Sequence, residues 1–244
     1  MLLIDGVAHD VAIADGLRVT IDPPADRNQV RAQVAAMLRL DEELEPFYAL
    51  TDEDPRLRYA RRRGAGRLLR APTVFEDVVK MLLTTNCSWA FTRQMVGRLV
   101  ELGTPAPSGR RAFPTAAQLA THDEKFFRSE VRSGYRALHL VHLSRAVASG
   151  ALDLERLRAR SDAEAMRDEL LELPGIGPYA ADNLLRLLGG YAYLGLDSWC
   201  RGKLEQLYPR ARDIDASAHR RYRKYGRFQG LAMWLDLTRD WHEP

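Results

Sequence analysis

The chain has 244 residues, 46% hydrophobic and 28% charged with a net charge of +3, enough apolar material to pack one large or two modest domains, so disorder is not the default reading. No apolar run approaches the roughly 18 residues of a membrane span, and two cysteines, Cys87 and Cys200, are too few for a disulfide framework or a four-thiolate metal cluster. The opening MLLIDGVAHD carries an acid and no basic region, so it does not read as an export signal, and a reducing cytoplasm is the expected compartment.

Apolar–polar alternation, with turn signals at Asp5-Gly6 and Asp15-Gly16, predicts three short antiparallel strands, LLID, VAHDVAIA and LRVTID, ended by Pro23-Pro24. Nearly everything after them has helical period. Asp26 is placed to cap a helix reaching about Leu40, with Val30, Val34, Met37 and Leu38 on one face. Thr73 and Glu76 form a capping-box pattern ahead of VFEDVVKMLL, and a helix over about 90–102 follows. The segment GTPAPSGRRAFP reads as a loop, 115–119 and 124–131 as short helices, and 136–149 as a longer one stopped by Gly150. Ser161 is placed to cap DAEAMRDELLEL, with Glu164 completing the box. The next helix opens at Pro178, buries Ala181, Leu184, Leu185 and Leu188, and closes at Gly189-Gly190. Final helices are expected over 198–208 and 216–239. The fold class is therefore mainly α with a small N-terminal antiparallel β element.

The basic residues comprise 32 arginines and only four lysines, Lys80, Lys125, Lys203 and Lys224. Arg56–Arg70 holds seven arginines and no acid, and Pro209–Arg227 has only Asp213 and Asp215 as acids. High-GC coding and a solvated helix face account for this pattern as readily as a polyanion surface does.

Leu173-Pro174-Gly175-Ile176-Gly177-Pro178 joins two helices by a very short turn. Its glycines permit positive φ and close approach of another molecule to the backbone, and its N–H groups lie at a helix start, where an anion is favoured. An ordinary αα-hairpin with a glycine cap fits the same residues. Asp197 stands about twenty residues further on, before Ser198 and Trp199, where a simple helix N-cap is the plain alternative.

LPGIGPYAADNLL followed by GLDSWCR resembles the helix-hairpin-helix (HhH-GPD) DNA glycosylase superfamily, in which an LPGxG hairpin precedes an aspartate at this spacing. GRLLRAPTVFEDVVKMLLTTNCSWAFTRQMVGRL, SGYRALHLVHLSRA and YGRFQGLAMWLDL resemble further elements of its 8-oxoguanine glycosylases, in the same order. The layout is closest to 8-oxoguanine glycosylases and to 3-methyladenine DNA glycosylase II-like members without an iron–sulfur cluster. The resemblance implies two helical subdomains flanking a DNA-binding cleft, with segments 1–71 (strands and a helix packing with the C-terminal helices), 72–190 (helical, ending in the hairpin) and 191–244 (catalytic aspartate and closing helices). It implies that Gly175, Ile176 and Gly177 hold a DNA phosphate and that Asp197 is catalytic. It also implies that Tyr179, Asn183, Trp199 and Met233 line the base pocket, and that Asn86, Tyr135 and Arg136 fill the gap and meet the orphaned base on the DNA-facing side opposite Asp197.

Departures narrow that picture. Bifunctional members carry a lysine where Tyr179 stands, so a monofunctional enzyme that forms no Schiff base is expected. Tyr179 suits a π platform for an electron-poor base, or plain packing on the hairpin. Met233 replaces a glutamine that reads the guanine edge, Asn183 replaces a cysteine, and Phe91 replaces an arginine of the orphan-base set. His139 and His142 share a helix face but have no partner that completes a metal site, and the tryptophans default to core. The expected protein is a monomeric, cytoplasmic, bacterial and nucleoid-associated enzyme with no membrane contact. It has no cofactor beyond a monovalent cation that the hairpin could hold, and its partner is double-stranded DNA bearing a damaged base, alkylated purine first. An oxidised-base glycosylase with an altered pocket and a non-catalytic helix-hairpin-helix DNA-binding protein are the alternatives.

Overall fold

The computed structural model describes residues 1–242. The protein is mainly helical, with one small sheet at its start. Strands β1 (Leu2–Ile4), β2 (Val7–Ala14) and β3 (Arg18–Asp22) pair antiparallel in that order, Leu2 opposite His9 and Asp10 opposite Asp22. Leu2, Ile4 and Ala8 are buried. On β2, Asp10 accepts from the amide of Ser108 at 2.9 Å and from the Arg110 guanidinium at 3.1 Å, which ties the 103–114 loop to the sheet.

The helices are α1 (Arg27–Leu38), α2 (Glu45–Thr51), α3 (Tyr59–Arg63), α4 (Val74–Thr84), α5 (Trp89–Val100), α6 (Ala116–Ala120), α7 (Glu124–Phe126), which runs into a π turn over Phe127–Val131, α8 (Arg136–Ala148), α9 (Ala163–Leu171), α10 (Pro178–Leu188), α11 (Ser198–Leu207), α12 (Ile214–Tyr222), α13 (Gln229–Leu237) and α14 (Arg239–His242). Side-chain caps set most of their starts. Asp26 accepts from the amides of Asn28 and Gln29, Thr73 from Glu76, Ser88 from Phe91 and Asp213 from Ala216. None of the described helices is long and apolar enough to cross a membrane.

Several sequence expectations are corrected. The cap of α9 is Asp162, which accepts from Glu164 and Ala165, and not Ser161. Glu76 pairs with Lys80 one turn on, so the reciprocal half of its capping box is not its role. The buried face of α10 carries Arg186 in addition to Ala181, Leu184 and Leu185, while Leu188 is half-buried. The final helix is interrupted: between α12 and α13 the chain makes 3-10 turns over Arg223–Phe228, with Gly226 at φ 52°, ψ −125°, a conformation that side-chain-bearing residues avoid. Helices α2 and α3 were not anticipated. They are short, and their buried residues (Phe47, Tyr48, Tyr59 and Ala60) are too few to declare a period.

The chain forms two compact units, each built from non-consecutive stretches. One comprises Met1–Met37, Arg70–Arg158 and Leu173–Gly175, and the other Leu38–Leu69, Ala159–Glu172 and Ile176–Pro244. The second has its own core around Phe47, Leu57, Tyr59, Tyr222, Leu231 and Met233. Within it, the segment that leads to Asp197 is bound to the start of α13. The amide of Gly230 donates to the carbonyl of Tyr191 at 2.8 Å, and the Gln229 side chain donates to that of Ala192. A Cβ on residue 230 would collide with the Tyr193 carbonyl and reach within 2.9 Å of the Tyr191 oxygen. Backbone cannot yield as a side chain can, so Gly230→Ala is expected to lower stability by about 3 kcal/mol, the upper part of the overpacking range. Urea unfolding followed by circular dichroism checks this value.

Candidate active site

Helices α9 and α10 form the expected hairpin pair. Arg167 on α9 and Asp182 on α10 make an ion pair at 2.6 Å, with the Tyr193 ring 4.5 Å under the guanidinium. The two turn glycines differ. Gly175 has φ +83°, and a Cβ there would come within 2.7 Å of a Leu82 methyl and 2.8 Å of the His139 ring. His139 is thus a packing residue under the turn. Gly177 is the N-cap of α10 in extended backbone, at φ −94° and ψ −179°, and nothing lies within 4 Å of where its Cβ would be. The fold requires a glycine at 175 and makes no such demand at 177. Ile176, between them, is buried.

Tyr179 lies half-buried in the first turn of α10. Asn183, one turn on, donates to the Tyr179 carbonyl at 2.8 Å and to that of Gly195 at 3.4 Å. It therefore joins α10 to the strand of chain that descends to Asp197. Arg186 continues that seam: it donates to Asn183 Oδ1 at 3.1 Å and to the carbonyl of Leu194, and it stacks 5.7 Å from the Trp234 ring. The guanidinium is buried, which pulls its pKa down, and its Nε has no hydrogen-bond partner. Gly195 takes φ +59° because a Cβ would meet Asn183 and Arg186.

Asp197 emerges at the end of this seam as the N-cap of α11. One carboxylate oxygen accepts from the Cys200 amide at 2.7 Å. Burial, together with the negative charge of Asp197, pushes the Cys200 thiol up to about 12. The capping alternative read from the sequence is thus real, and the same half-buried carboxylate faces partly outward. Beside it Trp199, 38% exposed, packs against Trp234 and Trp241 with ring centroids 5.8–6.0 Å apart, and Trp241 is 61% exposed. Lys203 sits 6.0 Å from the Trp199 ring and pairs with Asp240. Met233 has no exposed surface and belongs to the core of this unit, so Trp234 provides the open face of α13 at this point.

Asn86, Tyr135 and Arg136 do come together, in the other unit. Asn86 takes φ +47° and donates to the Tyr135 hydroxyl at 3.2 Å, with Thr85 at the same distance. Burial works to raise the Tyr135 phenol, but these bonds and the Arg136 charge outweigh it and hold the phenol below the usual tyrosine value. Asn86 and Tyr135 are exposed. Arg136 is only 4% exposed, bonded to Thr85 and Ser133 and lying 4.5 Å from the Tyr135 ring. It secures the loop that carries Asn86. The exposed Trp89 follows at the start of α5.

The sequence missed Arg186, Cys200 and the association of the three tryptophans. A single arginine inside the leucine run of α10 was the only available signal for the first, and no spacing links α11 to α13 and α14.

A short turn between two helices, with an aspartate heading the next helix, is a helix-hairpin-helix arrangement, and the overall fold is the one seen in solved DNA glycosylases. The comparisons agree: the relatives and structural neighbours are DNA glycosylases of that superfamily. The chain is 28% identical to a probable N-glycosylase/DNA lyase of Methanothermobacter thermautotrophicus over 86% of its own length and 75% of that protein. It is 25% identical to a DNA-3-methyladenine glycosylase of Bacillus subtilis, over 65% of its length and 54% of the relative's. It superposes with a TM-score of 0.71, at 20% identity, on Clostridium acetobutylicum 8-oxoguanine glycosylase/lyase in complex with DNA, covering 98% of this chain and 83% of that one. No protein-family model matches.

The two hairpin glycines should respond unequally to substitution. Gly175→Ala adds left-handed strain to a collision and is expected to lower stability by about 2–4 kcal/mol. Gly177→Ala meets no collision, and the gain from restricting the unfolded chain is offset by alanine's poorer N-capping, so stability should change by less than about 1 kcal/mol. Paired thermal melts give the sign of each change.

Proposed function

We propose that the chain is a DNA glycosylase of base excision repair that removes a damaged base, an alkylated purine by preference, by hydrolysis and without a lyase step. The observation that carries this reading is Asp197: a half-buried carboxylate fixed as a helix cap, next to three packed tryptophans of which Trp199 and Trp241 are exposed. Cleavage of an N-glycosidic bond separates the base with the bonding electron pair and builds positive charge on the deoxyribose. A fixed carboxylate stabilises that charge, and it takes a proton from the water whose oxygen bonds to C1′. An alkylated purine carries positive charge already, so it leaves without a second acid and is attracted to electron-rich indole faces. The free space at Gly177, where the fold itself does not need a glycine, supports contact of the hairpin amides with a DNA phosphate.

The oxidised-base reading draws on the 8-oxoguanine neighbour. Against it, Met233 is buried and Asn183 is engaged with backbone, so neither offers a polar group to a guanine edge. Of the three residues expected to fill the vacated stack, Tyr135 and Asn86 are exposed for that role. The engagement of Arg136 with Thr85 makes it a support for them.

Asp197→Asn separates the carboxylate's two duties. Asparagine caps a helix as well as aspartate does, so the fold should persist. Base release should fall at least about 10²-fold, the magnitude attached to losing one fixed electrostatic group. Single-turnover release of methylated purines measures it, and near-wild-type release would leave Asp197 as a cap only.

With Tyr179 in the lysine position, the product should be an intact strand with an abasic site. Borohydride added during turnover should trap no protein–DNA adduct on a denaturing gel, and efficient trapping would establish an amine nucleophile.

A further inference from the structure

The site around Asp197 leaves unused the two arginine-rich stretches of the sequence. The second unit brings their ends together. Arg56 from the first stretch, and Arg220, Arg221 and Lys224 from the second, line one cavity of about 450 Å³.

The acids in its wall are already satisfied. Asp236 is 3% exposed and accepts from Arg56 Nε and from the hydroxyls of Tyr208 and Tyr222, the last at 2.7 Å. Asp54 accepts from Lys224 at 2.8 Å, from the Tyr225 hydroxyl at 2.5 Å and from the Arg56 amide at 2.9 Å. Burial opposes charge on Asp54, but these donors prevail and hold its carboxyl down at about 2. Burial and the Asp236 charge push the Tyr208 phenol up to about 12, so it remains a donor.

Positive charge and unused donors remain. Arg221 lies on the Tyr208 ring with its guanidinium carbon 3.5 Å from the centroid. The N–H bonds of a stacked guanidinium lie in its own plane, so the ring engages none of them. Arg220 is exposed beside it. Four cations face two carboxylates that are fully engaged. A pair of guanidinium forks suits a phosphate's several oxygens, and the volume lies in the small-ligand range, above what a bare anion fills.

We propose that this cavity is a phosphate-ester site, in which Arg220 and Arg221 grip the phosphate and the wall with Tyr208 accommodates the attached sugar. The ester comes either from a free nucleotide or from a backbone phosphate of DNA, the second source resting on the glycosylase reading.

Calorimetric titration with adenosine monophosphate, in wild type and in Arg220→Ala/Arg221→Ala, tests the first source. Arg210→Ala/Arg212→Ala, two exposed arginines of the same stretch outside the cavity, is the control. Binding that weakens at least tenfold in the cavity variant and holds in the control supports a nucleotide site. The second arm follows affinity for undamaged duplex DNA against salt. Loss of one phosphate contact lowers the slope of log K on log salt by about 0.9, so a drop near that size in the cavity variant alone assigns the site to DNA. If the Tyr208 stack proves necessary for folding, Arg220→Ala by itself, which leaves the stack in place, should still weaken the same ligand at least threefold. Equal effects from both pairs, or no effect on either ligand, overturn the proposal. The nucleotide arm requires neither DNA nor base release, so its failure is distinct from a failure of the glycosylase reading.

Discussion

The proposed chemistry turns on where one carboxylate is held, and a buried cation does the holding. Desolvating a guanidinium carries a penalty of several kcal/mol unless bonds within the protein replace its water. Arg186 meets that requirement through its two terminal nitrogens, with the Leu194 carbonyl and the Asn183 oxygen, and through the face of Trp234, while its Nε stays unbonded. Each of these partners lies on the path from α10 to Asp197 or beside the aromatic wall. The buried charge therefore fixes helix, descending segment and wall in one arrangement. At the same C-terminal end of α10, Arg39 donates to the carbonyls of Leu187 at 2.8 Å and Arg186 at 3.2 Å, supplying partners that a helix C-terminus lacks. Two arginines thus anchor the last turn of the helix, through donors that lysine's single ammonium could not direct to two acceptors in a plane.

The elements legible in the sequence were those written in local chemistry. The three strands follow from alternation and turn dipeptides, and most helix starts follow from a capping side chain that accepts from an amide two or three residues on. Gly189 ends α10 in the left-handed region, as its position suggested. The start of α11 at Asp197 was legible because an N-cap aspartate before a helical run is a property of the chain alone. Errors arose where a neighbour distant in sequence decides the outcome. Arg136 and Met233 look like site residues by position, yet burial assigns the first to a loop and the second to the core. The tryptophans of α11, α13 and α14 meet only in three dimensions. Gly226 breaks a helix whose apolar period continues across it, because a period records which residues are buried and not whether the backbone turns between them.

The interleaved units add a constraint of their own. The chain leaves the second unit after Glu172 and re-enters it at Ile176, so the three residues Leu173–Gly175 belong to the first. The crowded glycine, with its ring and methyl neighbours on α8 and α4, lies on one side of that boundary. The open glycine, which begins α10, lies on the other. A turn of this kind divides its work by residue: Gly175 serves the packing of one unit, and Gly177 serves the surface of the other.

The tryptophan group has a practical consequence. Three of the four indoles in the chain stand within 6.0 Å of one another, centroid to centroid, at the edge of the candidate site. The near-ultraviolet emission of the protein therefore originates largely from one corner, with excitation energy passing freely among the three rings. Replacing Trp89 with phenylalanine would leave that corner as the sole source of tryptophan emission. Any flat, electron-poor ring that stacked there would quench the whole signal at once, so occupancy of the site could be followed without attaching a dye.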